Sequence, residues 1–179
     1  IATSDGNHLT VVKDMGLVSS VFDDRTLAAL DGDMGIGHTR YSTTGSSAWK
    51  NSQPVFRDVS HTQFALAHNG NLTNTAELAT SAGMLPGMAT SDTDVMAELI
   101  SIHLRNNPQC VGHELEGALS VVLPQFRGAF SLVLTDAHSV VGVRDPNGFR
   151  PLCLGRLDGG WVLASESPAL DVVGAHFVR

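Results

Sequence analysis

No apolar run in the 179 residues approaches the roughly 18 needed to cross a membrane. The opening Ile1-Ala-Thr-Ser-Asp-Gly6 has neither the basic nor the apolar region of a secretory signal, so a cytoplasmic location without a membrane partner is expected. Basic charge is scarce. Eleven Lys and Arg stand against 18 Asp and Glu, for a formal net charge of -7, and the basic residues are scattered. That leaves no electrostatic footprint for nucleic acid. Only two cysteines occur, Cys110 and Cys153, far apart and in no Cys-x-x-Cys motif, which argues against a disulfide framework and a zinc site. The 8 histidines fit no common ligand spacing, and His103 and His113 are not a short-spaced helical pair, so no metal site is expected. Repeats, low-complexity tracts and linkers are also missing. With 42% hydrophobic and 16% charged residues, the chain reads as one globular domain over residues 1–179.

What is present alternates short strands with a few helices. Residues 1–4 and 9–13 flank the turn-forming Asp5-Gly6-Asn7 and read as a hairpin. Asp23 or Asp24 caps a short helix through Leu30, closed by Gly32, and residues 34–41 read as a glycine-rich strand. A second strand covers 64–68, with Phe64, Leu66 and His68 on one face and Ala65 and Ala67 on the other. Two amphipathic helices follow, one carrying Val95, Leu99 and Ile102, the next Leu115, Leu119, Val122 and Phe126. Beyond Gly128 the period switches to two: Phe130, Leu132 and Leu134 alternate with Ser131, Val133 and Thr135. Further strands are expected at 140–144, 152–156 and 161–165. Helices between two groups of strands make an α+β layered domain.

Three polar segments concentrate the chemistry: Gly35-Ile-Gly-His-Thr-Arg40-Tyr-Ser-Thr-Thr-Gly45, His68-Asn69-Gly70-Asn71-Leu72, and Ser91-Asp92-Thr93-Asp94. Arg40, leaving a strand, presents a planar fork suited to a carboxylate, although a structural ion pair would use the same residue type. Asn69-Gly70 after an apolar strand is a tight turn on its simplest reading. Its functional reading is a pair of donors, the Asn69 side-chain amide and the Gly70 N–H, aimed at a developing oxyanion. Ser91 and Asp92 precede a helix. Capping accounts for one acid or hydroxyl there, which leaves Asp92 for a ligand ammonium and Ser91 or Asp94 for the helix. Carboxylate, oxyanion and ammonium sites together describe a pocket for an amino acid.

Those segments, with Arg144-Asp-Pro-Asn-Gly-Phe-Arg-Pro-Leu152 and Ala164-Ser-Glu-Ser-Pro-Ala-Leu170, resemble in their order the class II glutamine amidotransferase domain of the amidophosphoribosyltransferase family, over nearly the whole chain. The first three also resemble the glucosamine-6-phosphate synthase type. The resemblance implies a four-layer αββα sandwich of the N-terminal-nucleophile hydrolase type. It implies that Arg40 holds the glutamine α-carboxylate with Thr43 beside it, that Asp92 binds the α-amino group, and that Asn69 and Gly70 form the oxyanion hole. The family's nucleophile is the first residue of the mature chain, a cysteine whose own α-amino group acts as base and which yields a glutamyl thioester and ammonia. A second domain then uses the ammonia on phosphoribosyl pyrophosphate in purine biosynthesis.

Residue 1 here is Ile, and the family's N-terminal strand with its Cys-Gly start is not in the sequence. The domain is therefore expected to be partial, lacking that strand and the phosphoribosyltransferase half. The 179 residues are expected to have no glutaminase activity alone, since neither Cys110 nor Cys153 joins a thiol and a terminal amine on one residue. No cofactor is expected in this domain. Magnesium and, in some members, an iron–sulfur cluster go with the remainder of the enzyme, and a homo-oligomer is expected. The alternatives are the glutaminase domain of another class II amidotransferase and a non-catalytic glutamine-binding module.

Overall fold

A computed structural model describes residues 1–40, 48–59, 62–108 and 114–179. In chain order the elements are β1 (Ala2–Ser4), β2 (Leu9–Val11), α1 (Val18–Val21), α2 (Asp24–Ala28), β3 (Met34–Ile36), β4 (Val55–Val59), β5 (Thr62–Leu72) and α3 (Thr75–Ser81). They continue with α4 (Asp92–Asn106), α5 (Glu114–Val122), β6 (Gly128–Thr135), β7 (Val140–Arg144), β8 (Cys153–Leu157), β9 (Gly160–Ala164), α6 (Ser167–Val172) and β10 (His176–Phe177). The strands form three antiparallel sheets, ordered β4-β5-β6-β7, β2-β1-β3 and β10-β8-β9.

The central sheet is apolar on both faces, and the size of the side chains decides what each face carries. Phe64, Leu66, Phe130, Leu132 and Leu134 join Val95, Met96, Leu99, Ile100 and Leu104 of α4 and Leu115, Ala118, Leu119 and Val122 of α5 in the main core. Bulky residues at every second position thus hold a helical layer against the sheet. On the opposite face the small Ala65 and Ala67 meet Ala2 and Ile36, with Leu9, Val11 and Val133 around them, so the β2-β1-β3 sheet lies close on β5 and β6. Gly142 of β7 leaves room for Leu163 of β9 and Leu152, while α6 packs on β9 and β10. Helices outside paired antiparallel sheets are the α+β sandwich expected from the sequence.

Several boundaries differ from the sequence reading. The hairpin and the Asp23 cap are as expected, Asp23 accepting the Thr26 N–H at 2.8 Å. The capped helix, however, ends at Ala28 with Ala29 as its C-cap, short of Leu30. Gly32 (φ 119°) serves β1 instead of the helix, because a Cβ there would overlap the Ser4 carbonyl. The strand expected over 34–41 stops at Ile36, where pairing with β1 ends and the chain turns so that His38 reaches β5. On α4 the buried stripe runs through Val95, Met96, Leu99, Ile100 and Leu104, with Ile102 only half-buried. Helix α5 ends at Val122 where Pro124 enters a 3-10 turn (Leu123–Gln125). Beyond that turn Phe126 is still buried, edge-on to Phe130 at 6.0 Å.

The candidate glutamine site on the edge of β5

Asn69-Gly70 is not a turn: β5 continues through it to Leu72, with Asn69 opposite Ser131 and Gly70 opposite Phe130. Pairing with β6 overrides the local turn preference of both residues. Gly70 has φ 144°, and a Cβ there would overlap the Ala129 carbonyl oxygen and stand 2.7 Å from Phe130 Cα. Only glycine tolerates that approach.

Pairing also decides where the Gly70 N–H points. Phe130 sends its N–H to Asp145 Oδ2 at 3.3 Å and accepts the Asp145 N–H at 2.8 Å, both on its β7 side. Gly70 and Phe130 are therefore a pair that exchanges no hydrogen bonds, and the Gly70 N–H and C=O turn away from β6. On that side β4 pairs with β5 only over Thr62 to Leu66. Among the described residues no strand pairs with the edge beyond, and side chains seal the groups of His68 and Leu72. The His68 N–H donates to Gln53 Oε1 at 2.7 Å, a ring nitrogen of His38, Nε2, sits 3.1 Å from the His68 carbonyl, and the Leu72 N–H donates to Asp92 Oδ2 at 3.2 Å. Gly70 lies between the two sealed positions. By alternation the half-buried Asn69 side chain shares the face of Ala65 and Ala67, beside the same edge.

Asp92 opens α4, and Ser91 caps it by accepting the Asp94 N–H at 3.2 Å. Asp94 turns to Arg57, at 3.4 Å, and to the Thr90 hydroxyl, at 2.6 Å. Asp92 is thus released from capping by its own side chain's neighbours and instead spans the helix start and β5. Its Oδ1 accepts the Thr93 N–H at 2.9 Å and lies 3.4 Å from His68 Nδ1. Burial pulls the Asp92 carboxyl upward, but the His68 contact and the N–H groups of Leu72 and Thr93 outweigh it and hold its pKa below the ordinary carboxylate range. The carboxylate stays charged at neutral pH.

Arg40 is half-buried, two residues past His38. Burial lowers the His38 pKa, and the charge of Arg40 adds to the effect, so His38 is a neutral imidazole that donates from Nε2 to the His68 carbonyl. Thr43 and Cys110 lie outside the described residues. Cys153 sits half-buried in β8, opposite Ala164, in a different sheet from β5. Among the described residues no group of three His, Cys, Asp or Glu side chains could hold a metal ion.

A family model described as "Glutamine amidotransferase domain" matches residues 38–172, most of the chain. The chain belongs to that family. Curated relatives of this glutamine amidotransferase domain include amidophosphoribosyltransferases of Mycobacterium leprae, 50% identical over all of this chain and 33% of that protein, and of Synechococcus elongatus, 43% identical over all of this chain and 36% of that protein. Among solved structures, glutamine phosphoribosylpyrophosphate amidotransferase from B. subtilis, complexed with ADP and GMP, superposes with a TM-score of 0.84 at 34% identity, covering 99% of this chain and 37% of that one. The chain spans about a third of the length of the curated relatives it matches. The match to these amidotransferase structures, with its mixture of helices and antiparallel sheets, agrees with the sandwich of the N-terminal-nucleophile hydrolases expected from the sequence.

The sequence reading passed over His38 and Gln53, which seal the backbone of His68, and His68 and Thr93, whose side chains meet beside Asp92. The only signal for them is position, His68 next to Asn69 and His38 two residues before Arg40. The Arg144-Asp145-Pro-Asn-Gly148 segment also gains a physical role. Asp145, 3% exposed, accepts backbone N–H groups of Phe130, Asn147, Phe149 and Arg150 at 3.0–3.3 Å, while Arg144 donates to the carbonyls of Gly148 and Arg150. That loop is tied to the strand that backs Gly70.

Proposed function

We propose that this domain is the glutaminase half of an amidophosphoribosyltransferase. It hydrolyses glutamine through a cysteinyl thioester and supplies ammonia to phosphoribosyl pyrophosphate to give phosphoribosylamine in purine biosynthesis. The observation that carries the reading is the open stretch of β5. One glycine N–H faces outward between two sealed neighbours, an asparagine precedes it, and an ionised aspartate is fastened to the same edge.

The division of labour follows from charge and donor count. Arg40 holds the α-carboxylate through its planar fork, with Thr43 adding contacts. Asp92 receives the α-ammonium: a carboxylate has about four lone-pair sites, and among the described residues Oδ2 takes one protein donor, the Leu72 N–H. The Asn69 amide and the Gly70 N–H stabilise the oxyanion of the tetrahedral intermediate. Each such donor is worth about 2.7–4 kcal/mol in the transition state. As the resemblance implies, the nucleophile is assigned to an N-terminal cysteine of the mature protein; Cys153 lies in a different sheet from the site. Magnesium, the phosphoribosyl pyrophosphate site and any iron–sulfur cluster belong in this proposal to other parts of a homo-oligomeric cytoplasmic enzyme.

The test is steady-state kinetics on the full-length gene product. Arg40→Ala and Asp92→Asn should each raise the KM for glutamine about 10- to 100-fold, the range for a lost hydrogen bond to a charged group. Synthesis of phosphoribosylamine from added ammonia should be unaffected. An unchanged glutamine KM in both variants would remove the assigned roles.

A further inference from the structure

We infer that His68 is a positioning residue for the substrate α-ammonium: as its Nδ1–H tautomer, beneath β5, it orients the Asp92 carboxylate so that Oδ2 keeps an open lone pair. The inference deepens the proposed function and rests on Asp92 binding the ammonium.

The tautomer follows from the partners. Nδ1 of His68 lies 3.3 Å from Thr93 Oγ1 and 3.4 Å from Asp92 Oδ1. Ionised Asp92 only accepts, so a bare Nδ1 would set lone pair against lone pair. Thr93 Oγ1 also accepts from Gln53 Nε2 at 3.2 Å and lies 3.5 Å from Asp92 Oδ1. With the single Nδ1–H shared between Thr93 Oγ1 and Asp92 Oδ1, every group has a role: the hydroxyl accepts from Gln53 and from that shared N–H and donates to Asp92. The Thr93 N–H, its hydroxyl and the shared His68 Nδ1–H then converge on Oδ1, and among the described residues the Leu72 N–H is the one donor directed at Oδ2.

Burial separates the two residues' roles. The His68 side chain is 1% exposed and that of Asp92 20%, so histidine reaches a ligand only through the carboxylate. The other ring nitrogen, Nε2, is buried with no hydrogen-bond partner among the described residues. A residue that only filled this space would be better apolar, since an unpaired buried polar atom costs stability. The cost makes sense if the Nδ1–H is what the position requires.

Three substitutions and one truncated ligand test this in the full-length protein. His68→Leu removes the donor, His68→Asn keeps an N–H near the Nδ1 position, and Asp92→Asn tests the ammonium site itself. The ligand is glutarate monoamide, glutamine without its α-amino group, measured as an inhibitor. His68→Leu should raise the glutamine KM at least about tenfold, with a smaller change in kcat, and change the inhibition constant of glutarate monoamide by less than about twofold. His68→Asn should restore the glutamine KM to within about threefold of wild type. Equal weakening of both ligands, or His68→Asn as impaired as His68→Leu, would overturn the inference and leave His68 a packing residue. An unchanged KM in His68→Leu with a raised KM in Asp92→Asn would also overturn it, while leaving the site intact. An unchanged KM in Asp92→Asn would sink the reading of the site. Should His68→Leu not fold, His68→Gln, whose amide extends to the Nε2 position, takes its place in each comparison.

Discussion

Gly70→Ala separates two demands on one residue, the close approach of β5 to β6 and the outward N–H. The new Cβ would overlap the Ala129 carbonyl and stand 2.7 Å from Phe130 Cα, and both are backbone of a central strand that cannot rotate away. An L-residue at φ 144° costs about 1–3 kcal/mol, and forcing the strands apart costs about as much again, by analogy with overpacked cores. The sum of about 2–6 kcal/mol is a large part of a domain's usual 5–15 kcal/mol. Gly83 supplies the control: its φ is also positive, at 68°, but nothing lies within 4 Å of an added Cβ. Gly83→Ala should therefore cost only the local strain of about 1–2 kcal/mol. Urea unfolding of the two variants, followed by far-UV circular dichroism, should show a much larger fall in midpoint for Gly70→Ala. Protein that remains folded should lose roughly 100- to 1,000-fold in glutaminase kcat, the usual cost of one oxyanion donor. A Gly70→Ala protein as stable as Gly83→Ala, with normal kcat, would refute both the register and the role of the N–H.

Other substitutions probe the surroundings. The native pKa of Asp145 is lowered because four backbone N–H groups outweigh the effect of burial, so its carboxylate stabilises the fold above the ordinary carboxylate range and that stability is lost as pH falls through the lowered value. Asp145→Asn should lower Tm at neutral pH and flatten the acid limb of a Tm-against-pH curve; an unaltered curve would contradict the loop-tying role. His38 has a depressed pKa, so its contribution is complete above the free-histidine value of about 6.5 and fades as acid protonates the imidazole. His38→Gln keeps a donor near Nε2, and its Tm should match wild type at about pH 8 and fall less between about pH 7 and 5. Cys153→Ala should leave glutaminase kcat unchanged, because Cys153 lies in the sheet of β8 while the site lies on β5; a large loss would move the nucleophile there.

How far the sequence revealed the fold depended on whether one face of an element was filled uniformly. Phe64, Leu66 and His68 against Ala65 and Ala67 marked the two faces of β5 correctly, because bulky side chains meet helices and small ones meet a second sheet. Helix α3 escaped notice since Leu78 is its only buried residue and no stripe forms. Strand β4, Val-Phe-Arg-Asp-Val, carries charges in its middle and is fixed by pairing with β5 instead of by pattern. The end of β5 was hidden by its composition: Asn69-Gly70-Asn71 has turn propensity, and only the β6 ladder holds it extended. Chemistry and resemblance single out Arg40, Asn69, Gly70 and Asp92 for the proposed site, and the structure brings Asp92 to the β5 edge that carries Asn69 and Gly70. Their connections were not legible in the sequence. The contact of His68 with Asp92 spans 24 positions and depends on α4 docking its first turn under β5.

The most direct measurement of the central claim is a crystal structure of the full-length protein with glutamate, the hydrolysis product, bound in the glutaminase site. The account predicts the α-ammonium on Asp92 Oδ2, the α-carboxylate on Arg40, and a side-chain carboxylate oxygen within hydrogen-bond distance of the Gly70 N–H and the Asn69 amide. Glutamate bound away from the open edge of β5, or with its α-ammonium held by other residues, would contradict it.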